Sequence, residues 1–459
     1  MKKRIGTLLL LLTVIVGLLY GCSKREEEPT DVPEKPVGIT VSFNTTIDGY
    51  TIPPVFLDGT PKYMPDTPFY VGRTFLGWYY DAEYIRPFHV ADGLTEDTVL
   101  YAKWRINRDT SELTKGEEQE KDLGGIVYKK SGEEYYVCGY DGILPDVNVP
   151  ERFNDLPVVG VLSGAFNGTI VRKITISASI KEIEGGAFAG ADKLGAVDVA
   201  EVSPYYLSKE GVLFTKDEKS LVCLPATKSS TRYEVPANTE TIEPYALHDA
   251  SCSVAFTDDC KITQIGEYAF SGFSGAVTLP GSVSFIQKHA FSGADCRLDF
   301  AGNFGMTSFG NGEFDGYIGS SIVIPASVVS LSGAPFSDCL ASVDLSETGL
   351  TELGENAFYG YLGAELVIPA SVLSLKSGCF YACTSKITFD ERSSIRIVGE
   401  NAFSNFAGKV TFPSTVRKLE KNAFYHARAG AQIVFSTKQS DIVIDKDAFK
   451  LSSATVKYQ

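Results

Sequence analysis

A short phrase, a small residue followed by Phe, recurs through the C-terminal three quarters of the chain and constrains its fold more than any other feature. The small residue is usually Ala, and the Phe positions are Phe166, Phe188, Phe270, Phe291, Phe314, Phe336, Phe358, Phe380, Phe403, Phe424 and Phe449. Ala246-Leu247 is a weaker twelfth copy. From Leu247 to Phe424 successive copies lie 21 to 23 residues apart. Units this short must bury their apolar faces against neighbouring units, because none can form a core alone.

A period of 20 to 29 residues with apolar ladders is typical of a leucine-rich-repeat solenoid. Each repeat opens with an alternating strand such as Val277-Thr278-Leu279, whose outer residues point inward. A Pro often follows and ends the strand, because Pro has no amide to donate. A second apolar pair comes next, as at Val283 and Ile286. The phrase itself is predicted to form one helical or 3₁₀ turn.

The repeats are predicted to alternate in pairs. The strand-ending prolines Pro236, Pro280, Pro325, Pro369 and Pro413 lie 44 or 45 residues apart. The third residue after each Phe alternates in size. It is large at Phe273, Tyr317, Tyr361 and Phe406, and small at Ala294, Cys339, Cys383 and Ala427. Such alternation lets stacked layers interdigitate at close packing.

Two segments depart from the regular repeat. Ile126 to Tyr128 and Glu134 to Val137 have the pattern of an opening hairpin, which we expect to cap the first rung. The 59-residue step from Phe188 to Leu247 is too long for one repeat. Within it, an insertion at about 201–235 is predicted to form a β-hairpin with a Lys/Asp turn that leaves the solenoid as an excursion.

The N-terminus has the pattern of an export signal. Lys2, Lys3 and Arg4 precede an apolar run from Leu8 to Leu19, which is too short for a transmembrane helix of about 20 residues. Residues 1–21 are therefore predicted to be a signal peptide. The ending Leu19-Tyr20-Gly21-Cys22 resembles the lipobox of bacterial lipoproteins. The resemblance implies cleavage before Cys22 and lipidation of its sulfur, so that several acyl chains anchor the protein to a membrane.

Residues 22–36 are charged and rich in Pro, which predicts an extended tether. Glu26, Glu27 and Glu28 resemble the acidic export signal of surface lipoproteins in the Bacteroides group. That resemblance implies exposure on the outer membrane, although a solvated linker would have the same composition.

Residues 37–105 are predicted to form a small β domain, with strands near Ile39 to Phe43, Phe75 to Tyr79 and Val99 to Trp104. Trp78 and Trp104, the two tryptophans of the chain, both lie here. They can be core residues or a platform for sugars. The strings Phe75-Leu-Gly-Trp-Tyr79 and Leu100-Tyr-Ala-Lys-Trp104 resemble the Listeria–Bacteroides repeat of the internalin B-repeat type. That resemblance implies a β-grasp-like spacer module. Residues 106–122 are polar, which predicts a linker.

The string Ile322-Val-Ile-Pro-Ala-Ser-Val328 and the string Ile265-Gly-Glu-Tyr-Ala-Phe270 resemble the BspA-like leucine-rich repeats of bacterial surface proteins. The expected fold is therefore mainly β, with a small β-grasp-like domain before a solenoid of about 12 repeats of 21–25 residues over residues 123–459. The resemblance implies adhesion to host or bacterial surface proteins. It transfers no binding residue, because the family motif is structural.

No catalytic or metal-binding pattern stands out. Cys252 and Cys296 are 44 residues apart, as are Cys339 and Cys383. At about 4.8 Å per rung, residues two rungs apart are too distant for a disulfide, so these cysteines are predicted to be small buried residues. The four histidines are scattered, and H-E-x-x-H and G-x-S-x-G are both absent. We expect no enzymatic activity, cofactor or metal.

The outward-pointing middle residue of each repeat strand is the candidate binding face. This row includes Thr175, Asp198, Ala255, Thr278, Asp299, Val323, Asp344, Val367, Thr388, Thr411 and Val434, and its candidate contact residues are Thr278, Asp299, Val323, Asp344, Val367, Thr388 and Thr411. The row has no aromatic platform for sugars. Exposed Val beside small Thr favours a protein partner, although strand propensity alone would also select these residues.

The charge balance excludes one class of partner. The formal charge is −15, and removal of residues 1–21 takes away three positive charges and leaves −18. Nucleic acid requires basic patches, so it is not an expected partner. The sequence therefore predicts a lipid-anchored, non-enzymatic surface protein whose solenoid binds proteins. A glycan-capture lipoprotein and a purely structural envelope protein remain alternatives.

Overall fold

The computed structural model describes residues 38–47, 49–58, 73–82, 88, 94, 96–106 and 119–459. The predicted signal peptide, Cys22, the tether and most of the linker lie outside these residues. The described chain is almost entirely β, and its one helix is the 3₁₀ turn Gln439–Asp441.

The N-terminal unit is a four-stranded sheet of the strands Gly38–Asn44, Val55–Asp58, Arg73–Tyr79 and Thr98–Ile106. The first and last of these strands pair in parallel at its centre, and the other two pair antiparallel at its edges. Trp78 is buried and lies 5.0 Å from the ring of Phe43. Trp104 donates its indole N–H to the Thr45 carbonyl at 2.8 Å. Both tryptophans are therefore core residues, and the sugar-platform alternative is not favoured.

The predicted start of the solenoid is three residues too late. Glu120–Lys121, assigned to the linker, is a strand paired with Ile126–Ser131. The Glu120 carboxylate accepts a hydrogen bond from the Tyr135 hydroxyl at 2.6 Å. The Asp122 carboxylate accepts one from the Tyr128 hydroxyl at 2.8 Å. Polar composition suggested a linker, but these carboxylates satisfy the hydroxyls of buried tyrosines.

The solenoid is built from two ladders of strands, and we call one repeat a rung. The first ladder contains the longer strand of each rung, and its strands form four sheets in which neighbouring strands pair in parallel. Its strands are Asp146–Asn148, Lys173–Ile176, Ala196–Val199, Arg232–Val235, Ser253–Phe256, Ala276–Leu279, Arg297–Phe300, Ser321–Val323, Ser342–Asp344, Glu365–Ile368, Lys386–Phe389, Lys409–Phe412, Gln432–Phe435 and Thr455–Tyr458.

The second ladder consists mostly of two-residue strands formed by the second apolar pair of each repeat, a feature that the sequence analysis did not predict. After the insertion its strands are Thr241–Ile242, Gln264–Ile265, Phe285–Ile286, Ser308–Phe309, Ser330–Leu331, Glu352–Leu353, Ser374–Leu375, Ile397–Val398, Lys418–Leu419 and Val443–Ile444. Its N-terminal part contains Ile126–Ser131, Glu134–Tyr140, Arg152–Phe153, Leu156–Val161 and Glu182–Ile183. The predicted opening hairpin, Ile126–Ser131 with Glu134–Tyr140, is confirmed.

The predicted helical turn at the Ala-Phe phrase is wrong. The phrase forms consecutive turns in which alternate amides have different acceptors. Ala269 and Ser271 donate backward within their own rung, to Gly266 and Tyr268. Phe270 and Gly272 donate to Ala290 and Ser292 of the next rung. Because every second amide bonds across rungs, the phrase forms a third ladder, the turn ladder, and cannot close into a helix.

Two left-handed positions bracket each Phe of the turn ladder from Phe166 to Phe424, two residues before it and two after it. Most are filled by Gly, Asn, Asp or His, including Asn401 (φ 56°), Asn405 (φ 54°) and Asn422 (φ 56°), and the others are Tyr245, Tyr268, Ala334 and Ala382. Asn adopts this conformation more readily than most side chains. The small or polar residues around each Phe therefore have a backbone cause.

The Phe rings stack into one continuous column. From Phe270 through Phe291, Phe314, Phe336, Phe358, Phe380, Phe403, Phe424 and Phe449, successive ring centroids lie 4.8 to 5.8 Å apart and are nearly parallel. The predicted large–small column packs beside it, with Phe273 and Tyr361 set edge-on to the stack. Cys252, Cys296, Cys339 and Cys383 are buried and form no disulfide, as predicted.

The insertion forms strands Tyr206–Lys209, Val212–Thr215 and Ser220–Cys223, and the predicted hairpin between the last two is confirmed. The expectation that it leaves the solenoid is wrong. Val212, Leu213 and Phe214 are fully buried. Ser220–Cys223 also pairs in parallel with Thr241–Ile242 of the second ladder. The insertion therefore joins the two parts of the solenoid core.

Phe358→Ala should destabilise the solenoid by about 3–5 kcal/mol, because the ring is fully buried between Phe336 and Phe380. Phe285→Ala removes the same atoms from a side chain that is 45% exposed and should cost much less. Thermal unfolding followed by circular dichroism compares the two variants. Equal melting temperatures would contradict the stacked core.

Asn422→Val should destabilise the chain by about 1–3 kcal/mol, because a β-branched residue is strained at φ 56°. Asn422→Gly provides the control, since Gly adopts this conformation freely. Urea unfolding should separate the two variants. If Val and Gly are tolerated equally, the turn ladder does not require the left-handed conformation there.

Candidate functional site

The predicted outward row forms a single face of the first ladder. Thr278 is in register with Asp299, Val323 with Asp344, Val367 with Thr388, and Thr411 with Val434. All seven candidate contact residues are exposed or half-buried, while their strand neighbours Val277, Leu298, Ile322, Val343, Leu366, Ile387 and Val410 are buried. The structure therefore brings the candidate residues together, as alternation along a strand requires.

Charged side chains on this face are largely paired with one another. Arg297 contacts Asp299 at 2.8 Å along one strand, and Lys386 contacts Glu365 at 2.7 Å across two strands. The Asp344 carboxylate accepts a hydrogen bond from the Ser346 amide at 2.8 Å. The face consequently presents local charge pairs rather than a field of one sign.

A groove with a volume of about 990 Å³ lies at the N-terminal end of the seven candidate contact residues. Ala255, Thr278 and Asp299 of the outward row line it, together with Arg232 and Arg297 from the preceding column. Small residues, Ser253, Ala255, Ala276 and Gly281, make the surface concave here. The groove combines a floor of small side chains with a rim that has both signs of charge.

Exposed apolar side chains continue the surface beyond the groove. Val323 is 45% exposed and Val367 is 52% exposed. The sequence analysis missed Ile318 and Leu340, which are exposed at the turn before the strands of two adjacent rungs. Each is the fourth residue after a repeat Phe. Comparing that position from repeat to repeat in the sequence would have identified both residues.

Titratable groups outside this face are structural. Burial raises the pKa of the Cys339 thiol to about 12, so that it stays protonated and unreactive at neutral pH. Among residues 119–459 and the described parts of the N-terminal sheet, no three His, Cys, Asp or Glu side chains are grouped to hold a metal ion. His248, His289 and His426 lie in different rungs, and His89 lies outside the described residues.

Asp315 and Glu313 are the two most enclosed carboxylates. Glu313 accepts hydrogen bonds from the amides of Gly310 (3.1 Å) and Asn311 (2.9 Å). Asp315 lies 3.4 Å from His289 Nδ1. Burial raises the pKa of Asp315 well above its ordinary value, and the charges of Asp338 and Glu313 add to this effect while Lys288 opposes it. Both side chains are buried, so they are poor candidates for contact with a substrate.

The comparisons with known proteins identify the repeats. The model of the BspA type leucine rich repeat region matches residues 151–206, 223–315, 307–429 and 385–456, in six copies. These ranges cover more than half of the chain and leave out residues 207–222 of the insertion. No curated protein is similar enough to the chain to match it.

Solved structures of bacterial leucine-rich repeat proteins are similar at low identity. A protein from Eubacterium ventriosum is 17% identical over 62% of this chain and 64% of its own length, with a TM-score of 0.36. A leucine rich cell surface protein from Faecalibacterium prausnitzii is 14% identical over 75% of this chain and 95% of its own, at 0.35. A leucine-rich repeat protein from Bacteroides ovatus is 17% identical over 74% of this chain and 90% of its own length, with a TM-score of 0.37.

Asp315→Asn should stabilise the chain at neutral and alkaline pH. A carboxyl whose pKa is raised by folding favours the folded state when protonated, and this contribution is lost as the pH rises from the ordinary pKa through the raised one. The neutral amide avoids that loss. Melting temperatures between pH 4 and pH 8 should differ most at pH 8, with the variant higher. A variant that is less stable at pH 8 would contradict this assignment.

Proposed function

The chain belongs to the BspA-type leucine-rich repeat family, and on that premise we propose that its solenoid binds protein partners through the outward row of the first ladder. The proposal rests on one observation. The seven candidate residues share the outward side of the first ladder, where Thr278 and Asp299 line a groove of about 990 Å³ and Val323 and Val367 are exposed. Apolar contacts bordered by paired charges are the composition of protein interfaces.

The chemistry of the face favours protein over the alternatives. Sugars are usually bound on aromatic platforms, and the middle residues of these strands include no aromatic side chain. Nucleic acid needs a basic surface, whereas the chain has a formal charge of −15. Leucine-rich repeat proteins are typically non-catalytic, and we propose that this chain is also not an enzyme.

The proposed partners are host or bacterial surface proteins, which requires the chain to be exported. BspA-like proteins are generally found at the cell surface. Within the described residues, no helix has the length and apolar character needed to cross a membrane. We propose attachment through lipidated Cys22, exposure on the outer membrane, and the N-terminal sheet as a spacer resembling the Listeria–Bacteroides repeat.

Binding of the mature chain, residues 22–459 without the lipid, to an immobilised panel tests the proposal. The panel contains extracellular matrix proteins, mucins, bacterial surface proteins and glycans. Saturable binding to a protein supports the proposed function. Binding only to glycans would indicate a glycan-capture protein, and no saturable binding would favour a structural envelope protein.

The double variant Val323→Asp/Val367→Asp should weaken binding of the captured protein at least about tenfold, because it places two unpaired charges within an apolar contact. Val443→Asp is the matched control. Val443 is 70% exposed but lies on the second ladder, so its substitution should leave affinity unchanged. Surface plasmon resonance measures both. Equal affinity for the double variant and wild type would place the site elsewhere.

A further inference from the structure

A second site is suggested by the place where the solenoid ladders are interrupted. The inserted strands separate the rung of Phe188 from the rung of Leu247, and a cavity of about 450 Å³ lies between them. We call it the junction cavity. Residues 184–191 form one wall and residues 222–226 form another. The third wall is formed by Glu243, Pro244, Tyr245, His248 and Asp249.

The first wall presents backbone donors that have lost their regular acceptors. Three amides of each rung face the next rung: the amide at the Phe position and the amides two residues before and two residues after it. In each of the other rungs from Phe166 to Phe424, at least two of these three amides donate to the next rung. In the rung of Phe188, none of these three amides donates to the next rung. Gly186, Phe188 and Gly190 donate to no acceptor among residues 119–459 or the rest of the described chain.

The same wall has an apolar surface. The ring of Phe188 stacks on Phe166 at 5.9 Å. On its other side the column of rings is interrupted, because Leu247 occupies the next Phe position. Phe188 is therefore partly exposed and lines the cavity, whereas Phe270 and Phe291 of the continuous column are fully buried.

The remaining walls add acceptors and negative charge. Glu184, Glu243 and Asp249 line the cavity, and its lining contains no Lys or Arg. His248 Nε2 lies 3.0 Å from Asp249 Oδ2. His248 Nδ1 is buried and has no hydrogen-bond partner in the described chain. Burial lowers the pKa of His248, although Asp249 opposes this effect.

We propose that the junction cavity binds an extended, uncharged or basic peptide segment of a protein partner. Where rungs are adjacent, these three amides meet carbonyls at alternate residues, as Tyr245, Leu247 and Asp249 meet Glu267, Ala269 and Ser271. A five-residue peptide presents carbonyls in the same way. An apolar side chain of the peptide packs on Phe188. Main-chain bonding of this kind is the basis of strand addition.

This inference rests on the proposed protein-binding function but uses a different site from the outward row. An acidic peptide is disfavoured by the carboxylates of Glu184, Glu243 and Asp249, because the lining contains no Lys or Arg. Short sugars could use the same donors and the face of Phe188. They lack a row of carbonyls at alternate residues, so a peptide matches the wall more fully.

The test begins with affinity selection of N-acetylated, C-amidated heptapeptides from a synthetic library by the mature chain. The tightest peptide is then titrated into variants by calorimetry. Ala226→Trp, in the wall formed by residues 222–226, fills the cavity and should weaken binding at least about tenfold. Ala370→Trp is the matched control, because Ala370 follows Pro369 as Ala226 follows Pro225 and both are half-buried. Its affinity should be unchanged.

Hydrogen exchange on the wild-type chain provides a readout that does not depend on the folding of a variant. Bound peptide should slow exchange in residues 184–191 and leave the outward row unaffected. No selected peptide, unchanged exchange in 184–191, equal affinity of Ala226→Trp, or selection of glycans alone would overturn the inference. If Val323→Asp/Val367→Asp loses protein binding while the heptapeptide fails to bind, the proposed function stands and the junction site is wrong.

Discussion

The alternating hydrogen bonds of the turn ladder are the constraint on which the rest of this structure depends. Every second amide of the Ala-Phe phrase bonds back within its rung, and the others bond to the next rung. This alternation sets one rung directly on another, so that the Phe rings stack at 4.8 to 5.8 Å. Ala precedes the Phe in most rungs and is buried there, while Glu313 fills the same position before Phe314 and accepts backbone hydrogen bonds.

The same constraint explains where binding surfaces can form. A ladder that satisfies its backbone from rung to rung leaves only outward side chains to contact a partner, and these are the residues of the outward row. Where the ladder is interrupted, the backbone itself becomes available. The insertion interrupts the turn ladder at the junction cavity. There the amides of Gly186, Phe188 and Gly190 have no acceptor within the described chain, whereas the matching amides of other rungs donate to the next rung. The two sites therefore arise from the regular and the irregular parts of one pattern.

Periodicity was sufficient to predict the solenoid, the inward and outward positions and the large–small column, because each follows from stacking identical units. It could not reveal the turn ladder. A phrase such as Ile265 to Phe270 has spacing compatible with a helical turn, and only the rung above it supplies the acceptors that prevent one. The insertion was mistaken for an excursion for a related reason. Val212, Leu213 and Phe214 form an apolar run whose burial depends on two distant rungs.

The candidate face shows the same division. Alternation along each strand placed Thr278, Val323 and Val367 on one surface, and their registers agree. The groove beside Ala255 could not be predicted, since it depends on small residues from several rungs meeting at one place. Ile318 and Leu340 were missed because they lie in turns, outside the strand pattern. Local periodicity predicts which residues lie in each row of the solenoid. The shape of its surface depends on contacts between rows, which periodicity does not describe.

Hydrogen exchange of the mature chain with and without a captured protein partner tests the central claim most directly. The account predicts slowed exchange in the first-ladder strands from Ser253–Phe256 to Glu365–Ile368, which include the groove and the exposed valines. The second-ladder strands of the same rungs should be unchanged. Protection confined to the second ladder or to the N-terminal sheet would contradict the assignment of the outward row as the binding face.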